Sequence, residues 1–409
     1  MNIPKELCIK CKGRLHCKLP YCPILKKNEV KFNAVKDVKE NLEGSAPSVF
    51  VGHYGYPSVN VGIMSTKSEN PDDYDDPRKW ANENKQIQDV VDYRSGLINS
   101  RFKAQIKQKS RFLEMSQEVG MASKSPDVEL TFKEKPKIRM SFSPTEAPTG
   151  PTAELTGAKL TENTKVDRQV EKVVSDVDFK ATPAMNQLFK KGFDENFLSR
   201  MLSIGNLGVK NQRKLVPTRW SITAVDDNIG KNIINELKDF QTSPNTAYFG
   251  GYMGNYFLIM MMDEVWSYEL FEMYAPKVSW NLFDTVQYST DHEFYDGRKK
   301  YAEECGGGYY ASRLPILERL RKDRKQSSVL VLRFITDEYI LPLGVWLVRE
   351  ATRKALNNKP VIFDSQEFLL KYAQALAKKK FNIDVSKILQ KSKLLTKMKT
   401  QRKFSEFFQ

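Results

Sequence analysis

The run Ser328-Val-Leu-Val-Leu-Arg-Phe-Ile335 is almost unbroken in apolar character and too short to be a buried helix, so it is read as a strand. Gly344 to Leu356 and Gln366 to Lys380 follow it with the spacing of amphipathic helices. A strand followed by two helices restricts this part of the chain to a mixed α/β unit, in which helices cover a sheet. The expected fold class for the whole chain is α/β or α+β mixed, with a four-cysteine knuckle in front and a flexible basic tail behind.

Four of the five cysteines fall within fifteen residues, as Cys8-x2-Cys11-x5-Cys17-x4-Cys22. Zinc takes four soft ligands in a tetrahedron; the Cys8 to Cys11 loop forms one chelating knuckle and the loop from Cys17 to Cys22, which contains Pro20, forms the other. A four-cysteine iron-sulfur cluster is the competing reading. His16, beside Cys17, could replace one cysteine, but four cysteines already suffice, and it is read as a surface residue. Cys305, isolated in Glu303-Glu-Cys-Gly-Gly-Gly308, is a small buried or loop residue with no histidine beside it to make a catalytic thiol.

Two short β-rich runs, Ser48 to Val51 and Val59 to Ile63, flank the loop Gly52-His-Tyr-Gly-Tyr-Pro57 and read as a hairpin. The glycines let a phosphate or base lie against His53, Tyr54 and Tyr56, or serve the turn alone. No helix start follows in the right place for a P-loop or dinucleotide fingerprint. Ile87 to Phe112 has helical apolar spacing, with Arg94 and Arg101 as phosphate candidates. Residues 122–164 shift to Pro, Thr, Ser and Gly, and are expected to be an extended or mobile connection. Helices are expected over Phe193 to Leu207 and Asn228 to Phe240. Arg219-Trp220 sits between a proline turn and a β-rich run that ends at Asp226 and Asp227. Asn255 to Ser267 is a buried strand carrying Asp263 and Glu264, and Asp291-His292-Glu293 lies in a loop.

Lys plus Arg exceeds Asp plus Glu by 65 − 50 = 15, a surplus that favours polyanions through counterion release. No stretch approaches the ~18 apolar residues of a membrane span, and the start of the chain lacks a signal core. A soluble, cytoplasmic protein with no membrane partner is expected. The chain ends in Gln401-Arg-Lys-Phe404-Ser-Glu-Phe407-Phe408-Gln409, the Gln-x-x-hydrophobic-x-x-aromatic-aromatic pattern of a sliding-clamp (PCNA) ligand. In one helical turn Phe404, Phe407 and Phe408 share a face, while Gln401 offers an amide to a polar pocket. The preceding Lys391 to Lys403 is too basic to be buried, so the motif is expected to hang on a loose tether.

The cysteine knuckle, Val51-Gly-His-Tyr-Gly-Tyr-Pro57, Lys214-Leu-Val-Pro-Thr-Arg-Trp-Ser-Ile-Thr-Ala-Val-Asp-Asp227, Trp266-Ser-Tyr-Glu-Leu-Phe-Glu-Met-Tyr-Ala-Pro276, Gly307-Gly-Tyr-Tyr-Ala-Ser-Arg-Leu314 and the terminal motif together resemble the archaeal Nre DNA repair proteins. The resemblance implies a repair factor that works with the sliding clamp on DNA, alongside excision-repair proteins, and carries over no catalytic residues. It implies a knuckle over 1–30, an N-terminal-type domain over 31–290, a C-terminal-type α/β domain over 291–385 and a basic tail over 386–409. The DNA-binding candidates are Arg94, Arg101, Arg219, Arg313, Lys391 and Lys397. The rival function is a structure-specific nuclease using magnesium or manganese, for which Asp226, Asp227, Asp263, Glu264 and His292 are the weak candidates. The cysteine reading predicts stoichiometric zinc by elemental analysis, lost on changing Cys8→Ser with Cys11→Ser; retention of the metal by that variant would refute it.

Overall fold

The structure, a computed structural model, describes residues 11, 13–16, 22–140, 147–278 and 280–400. Cys8 and Cys17, and the clamp motif Gln401, Phe404, Phe407 and Phe408, lie outside them. The chain divides into two compact units, one running up to Ile229 with Leu341–Leu343 added, the other from Gly230 to the end of the described residues without those three. No described helix is long and apolar enough to cross a membrane.

The first unit is built on a five-stranded closed barrel of β1 (Asn41–Val51), β2 (Ser58–Thr66), β3 (Ile98–Gln105), β4 (Asp127–Phe132) and β5 (Thr152–Leu160), in the order β1-β2-β3-β5-β4. Every neighbouring pair is antiparallel except β3 with β5, and β4 closes onto β1. A helix, Arg111–Met121, connects β3 to β4. This order, these directions and this helix are those of the oligonucleotide/oligosaccharide-binding (OB) barrel. Alternation drives it: along β3, Ile98, Ser100, Phe102 and Ala104 are buried, while Arg101, Lys103 and Gln105 are exposed. Val49, Val59, Val61, Ile63, Val128, Leu130 and Leu155 join Phe102 in the closed core.

Three expectations are corrected in this unit. The helical reading of Ile87 to Phe112 holds only for the helix Ile87–Gly96; Leu97 turns extended and β3 follows, because a short apolar stretch satisfies both periods. The Pro- and Thr-rich stretch 122–164 is no connection: it supplies β4 and β5, bounded by Pro126 and Pro151, though residues 141–146 lie outside the description. The β-rich run before Asp226 is the start of a single helix, Thr218–Leu237. Its β-branched residues serve helical spacing, since Val225, Ile229 and Ile233 are wholly buried at four-residue intervals. The hairpin around residues 52–57 is present as expected, in longer form.

The second unit contains a six-stranded sheet in the order β10-β9-β12-β8-β7-β13, formed by β7 (Thr246–Tyr252), β8 (Asn255–Met262), β9 (Ser267–Tyr274), β10 (Gln287–Glu293), β12 (Ser328–Ile335) and β13 (Val361–Ile362). Two-residue strands β6 (Gln241–Thr242) and β11 (Lys325–Gln326) pair separately. β12, the apolar run from Ser328 to Ile335, lies parallel to β9 and antiparallel to β8, and all eight residues are buried. One sheet face, with Leu330, Leu332 and Phe334, packs Leu369, Ala373 and Ala377 of the helix Gln366–Phe381. The opposite face carries Glu272 and Arg333, which pair with each other and meet the helix Gly307–Asp323 at Gly308, where any side chain would collide with the Glu272 carboxylate. The Asp291-His292-Glu293 segment is the end of strand β10, not a loop, because it pairs residue for residue with β9. β10 spans residues 287–293.

The basic segment after Lys391 also departs from expectation. Lys393–Thr400 is a helix whose Leu394 and Leu395 are buried, and buried Glu269 caps its start by accepting from the backbone N–H of Lys393 at 3.0 Å and of Leu394 at 3.1 Å. A carboxylate at a helix N-terminus offsets the orphan N–H groups and the dipole there. Its lysines remain exposed, so basic composition and docking coexist on one helix.

Arg313 and Glu293 form a wholly buried ion pair at 2.6 Å within this unit. Arg313→Met leaves a buried carboxylate and is expected to lower stability by about 3–5 kcal/mol, with Glu293→Leu added to it recovering most of the loss. Denaturant unfolding checks this; a variant as stable as the parent would show the pair to be dispensable.

Candidate nucleic-acid interface

The outward residues of β2 and β3 stand opposite one another in register: Ser58 with Gln105, Asn60 with Lys103, and Gly62 with Arg101. Because Phe102 and Ala104 are drawn into the barrel, Arg101 and Lys103 must point to solvent. β5 lies beside β3 on the other side, with Arg101 opposite Glu154. The chain leaving β4 doubles back along β5: Lys137 and Thr152 exchange backbone hydrogen bonds at 2.7 and 3.0 Å, and the Lys133 amide donates to the Glu154 carbonyl at 3.0 Å. This return brings Lys133, Lys135 and Lys137 to the flank of the β2–β3 face.

The result is a groove of about 630 Å³ lined by Asn60, Arg101, Lys103, Lys133, Lys135 and Lys137, with Glu134 and Glu154 as its acidic residues. Five cations against two carboxylates leave the groove positive. Lys137 pairs with Glu134 at 2.6 Å and holds that carboxyl below the usual range, and Lys133 approaches Glu154 at 3.7 Å. Exposed pairs of this kind contribute little, so their lysines can exchange a carboxylate for a phosphate at small cost. Gly62 presents no side chain to this face because Asn99 occupies the space a Cβ would need.

The β1–β2 loop leads into β2 at Ser58, two residues before Asn60 of the groove. Its geometry is tied down: the Gly52 amide donates to the Asn60 carbonyl at 2.8 Å, Ser58 to Gly55 at 2.9 Å, and Ile106 to Pro57 at 3.1 Å. Gly55 sits at φ +82°, where its missing Cβ would meet the Ser58 carbonyl. Tyr54 is 80% exposed and Tyr56 41%. The helix Thr218–Leu237 begins beside them, since the Val51 amide donates to Thr218 Oγ1 at 2.9 Å. Trp220, 47% exposed, lies 5.2 Å from the Tyr56 ring, and exposed Arg219 precedes it. A second cavity in this unit, about 980 Å³, runs between residues 106–110 and 204–215; its lining sets Lys107, Lys109, Lys210, Arg213 and Lys214 against Glu114, Glu118 and Asp178, with Arg213 committed to the carbonyls of Gly208 and Val174.

The sequence-derived candidates therefore separate. Arg101 lies in the groove and Arg219 beside the aromatic loop. Arg94 is engaged with Asp75 at 2.8 Å and lies over Trp80 at 5.1 Å, the ion-pair alternative to phosphate binding. Arg313 is buried against Glu293 and has no access to a phosphate. Lys391 and Lys397 remain exposed, with their ammonium groups over Tyr288 and Phe294. Lys103, Lys133, Lys135 and Lys137 were not foreseen. For Lys103 the available signal was the alternation of Arg101-Phe-Lys-Ala104; the other three come together with it only once the barrel closes.

The acidic candidates do not gather. Asp226 and Asp227 are successive residues inside a helix, so their side chains diverge, and Asp226 is buried while Asp227 is not. Asp263 and Glu264 occupy the β8–β9 turn. Asp291 is held by Arg298 at 2.9 Å, Glu293 by Arg313, and His292 packs edge-on to Phe294. Among the described residues, no three His, Cys, Asp or Glu side chains form a group able to hold a metal ion. Two of the four clustered cysteines fall outside that description. Of the other two, Cys11 is buried and its Sγ accepts the His16 amide at 3.4 Å, while Cys22 is half-buried. Cys305 is buried as expected, and burial pushes its thiol pKa far up, away from nucleophile behaviour.

Two family models match the chain: archaeal Nre, N-terminal, over residues 16–281, and archaeal Nre, C-terminal, over residues 293–407. The DNA repair protein NreB of Archaeoglobus fulgidus is 36% identical over 402 residues, covering 98% of this chain and 99% of the relative. The DNA repair protein NreA of the same organism is 37% identical over 365 residues, covering 88% and 90%, and that of Haloferax volcanii is 36% identical over 327 residues, covering 77% and 78%. No solved structure matches the chain. A barrel unit and a sheet unit, matched along nearly their whole length by these models and relatives, place the chain in the archaeal Nre family.

Proposed function

We propose that this protein is a DNA repair factor that holds DNA on the basic face of its barrel and is brought to the sliding clamp by Gln401, Phe404, Phe407 and Phe408. The repair role is supported by the relatives, each of which is named a DNA repair protein. The observation that carries DNA binding is the register of β3: core positions Phe102 and Ala104 force Arg101 and Lys103 outward, into a groove with three more lysines. An OB barrel uses this β2–β3 face and its flanking loops for oligonucleotides. Phosphate contacts release condensed counterions, so binding by such a groove weakens steeply with salt.

The four cysteines fit a structural zinc by their donor chemistry, and the His16 amide donates to Cys11 Sγ at 3.4 Å. In that role Cys8, Cys11, Cys17 and Cys22 fold the front of the chain and take no part in a reaction. The clamp motif begins at Gln401, directly after the helix Lys393–Thr400 whose start Glu269 caps. Burial of three phenylalanines at roughly 1.5–3 kcal/mol each, less the ordering of the segment, supports binding on the order of micromolar.

Two measurements test these parts separately. Arg101→Ala with Lys103→Ala is expected to weaken DNA binding at least tenfold and to reduce the slope of log affinity against log salt by about one per cation removed; an unchanged slope would place the DNA elsewhere. Phe407→Ala with Phe408→Ala is expected to abolish clamp binding by calorimetry while leaving DNA binding intact, and undiminished heat of binding would refute the motif.

A further inference from the structure

We infer that the DNA held by this face is single-stranded, and that Tyr54, Tyr56 and Trp220 form its base-stacking platform. This rests on the DNA-binding reading of the barrel and adds the class of nucleic acid and the residues that select it. Three large aromatic rings stand in water on the loop that runs into β2 just before Asn60 of the cationic groove and on the helix start bonded to that loop's strand: Tyr54 is 80%, Tyr56 41% and Trp220 47% exposed. Trp80 and Trp266, by contrast, are fully buried.

The rings are pre-positioned. The backbone bonds of Gly52 to Asn60 and of Ser58 to Gly55 fix the loop against β2, and the bond of Val51 to Thr218 fixes the helix start that carries Trp220. Tyr56 and Trp220 then lean together at 5.2 Å with their planes 57° apart, which leaves ring surface open. Binding on such a platform loses little side-chain entropy.

Paired DNA hides the faces of its bases in the stack, whereas an unpaired strand offers them. Positive walls that track the backbone, together with rings that take bases, are the two components of single-strand recognition, and stacking tolerates any sequence because every base has a π-face. The cations also argue against an uncharged oligosaccharide, the other ligand class of this barrel type. From the loop, the strand runs along Asn60, Lys103 and Arg101 and leaves past the lysines of residues 133–137. Arg219, exposed next to Trp220, faces the phosphates that flank the stacked base.

The test uses the full chain and fluorescence anisotropy with a labelled oligo-dT of about 16 nucleotides, near the upper site size of one barrel, with a duplex of equal length and an oligo-U as competing ligands. Oligo-dT is expected to bind at least tenfold tighter than the duplex. Tyr54→Ala with Trp220→Ala should lower oligo-dT affinity at least tenfold and leave both duplex affinity and the salt slope unchanged. Trp220→Phe, which keeps a ring, should retain most of the binding and serves as the folding control. If duplex and oligo-dT bind equally and Tyr54→Ala with Trp220→Ala changes neither, the platform is overturned while DNA binding by the barrel stands. Tighter binding of oligo-U would overturn the assignment to DNA, and no binding of any of the three would overturn both readings.

Discussion

The parallel pairing of β3 with β5 is the constraint on which the first unit depends. It inserts β5 between β3 and β4, lets β4 close onto β1, and turns five short strands into a barrel with no free edge. Without it the apolar residues of β3 would have no core to enter, and Arg101 and Lys103 would have no fixed direction. The same pairing brings the segment after β4 back along β5, because Lys137 bridges Thr152 at the start of that strand. Fold and charge are thus set by one event: closing the core on Phe102, Leu130 and Leu155 also assembles the cationic groove on the outside.

The second unit is organised differently, around a central strand with no exposed residue and around several buried ion pairs. Arg333 pairs with Glu272 and also donates to Asn255 Oδ1 at 3.1 Å, Arg313 pairs with Glu293, and Arg298 with Asp291. Buried ions carry a large desolvation cost, so such pairs add less net stability than specificity of packing. Glu269 is used in the same way, caught in the sheet but committed to the start of the helix Lys393–Thr400. This unit therefore commits Glu269, Glu272, Asp291 and Glu293 to structure, so these buried carboxylates are not gathered for metal chemistry.

What could be read from the residues follows how local each feature is. The β1–β2 hairpin, β12 and the helices Val345–Asn357 and Gln366–Phe381 were legible because each is decided by its own pattern and punctuation. β3 was hidden because Ile98, Phe102 and Ile106, four residues apart, suit a helical stripe as well as one face of an alternating strand. β4 and β5 were hidden by the prolines that bound them and by their Thr and Gly content. The helix Thr218–Leu237 was misread because Ile222, Thr223 and Val225 favour strands locally, and packing of Val225 and Ile229 overrides that preference. At the candidate interface, Arg101 and Arg219 could be picked as cations with no stated partner. Whether Arg94 and Arg313 were free depended on Asp75 and Glu293, residues distant in sequence, and the roles of Lys103, Lys133, Lys135 and Lys137 depended on barrel closure.

The proposed binding of nucleic acid across β2, β3 and the two loops beside them is tested by hydrogen–deuterium exchange of the full chain with and without a saturating oligo-dT, which reads every segment at once. Slowed exchange is expected in residues 52–62, 98–105, 133–137 and 218–220. Protection confined to the basic helices of the second unit, around residues 319–325 or 371–400, with none in the barrel, would contradict it.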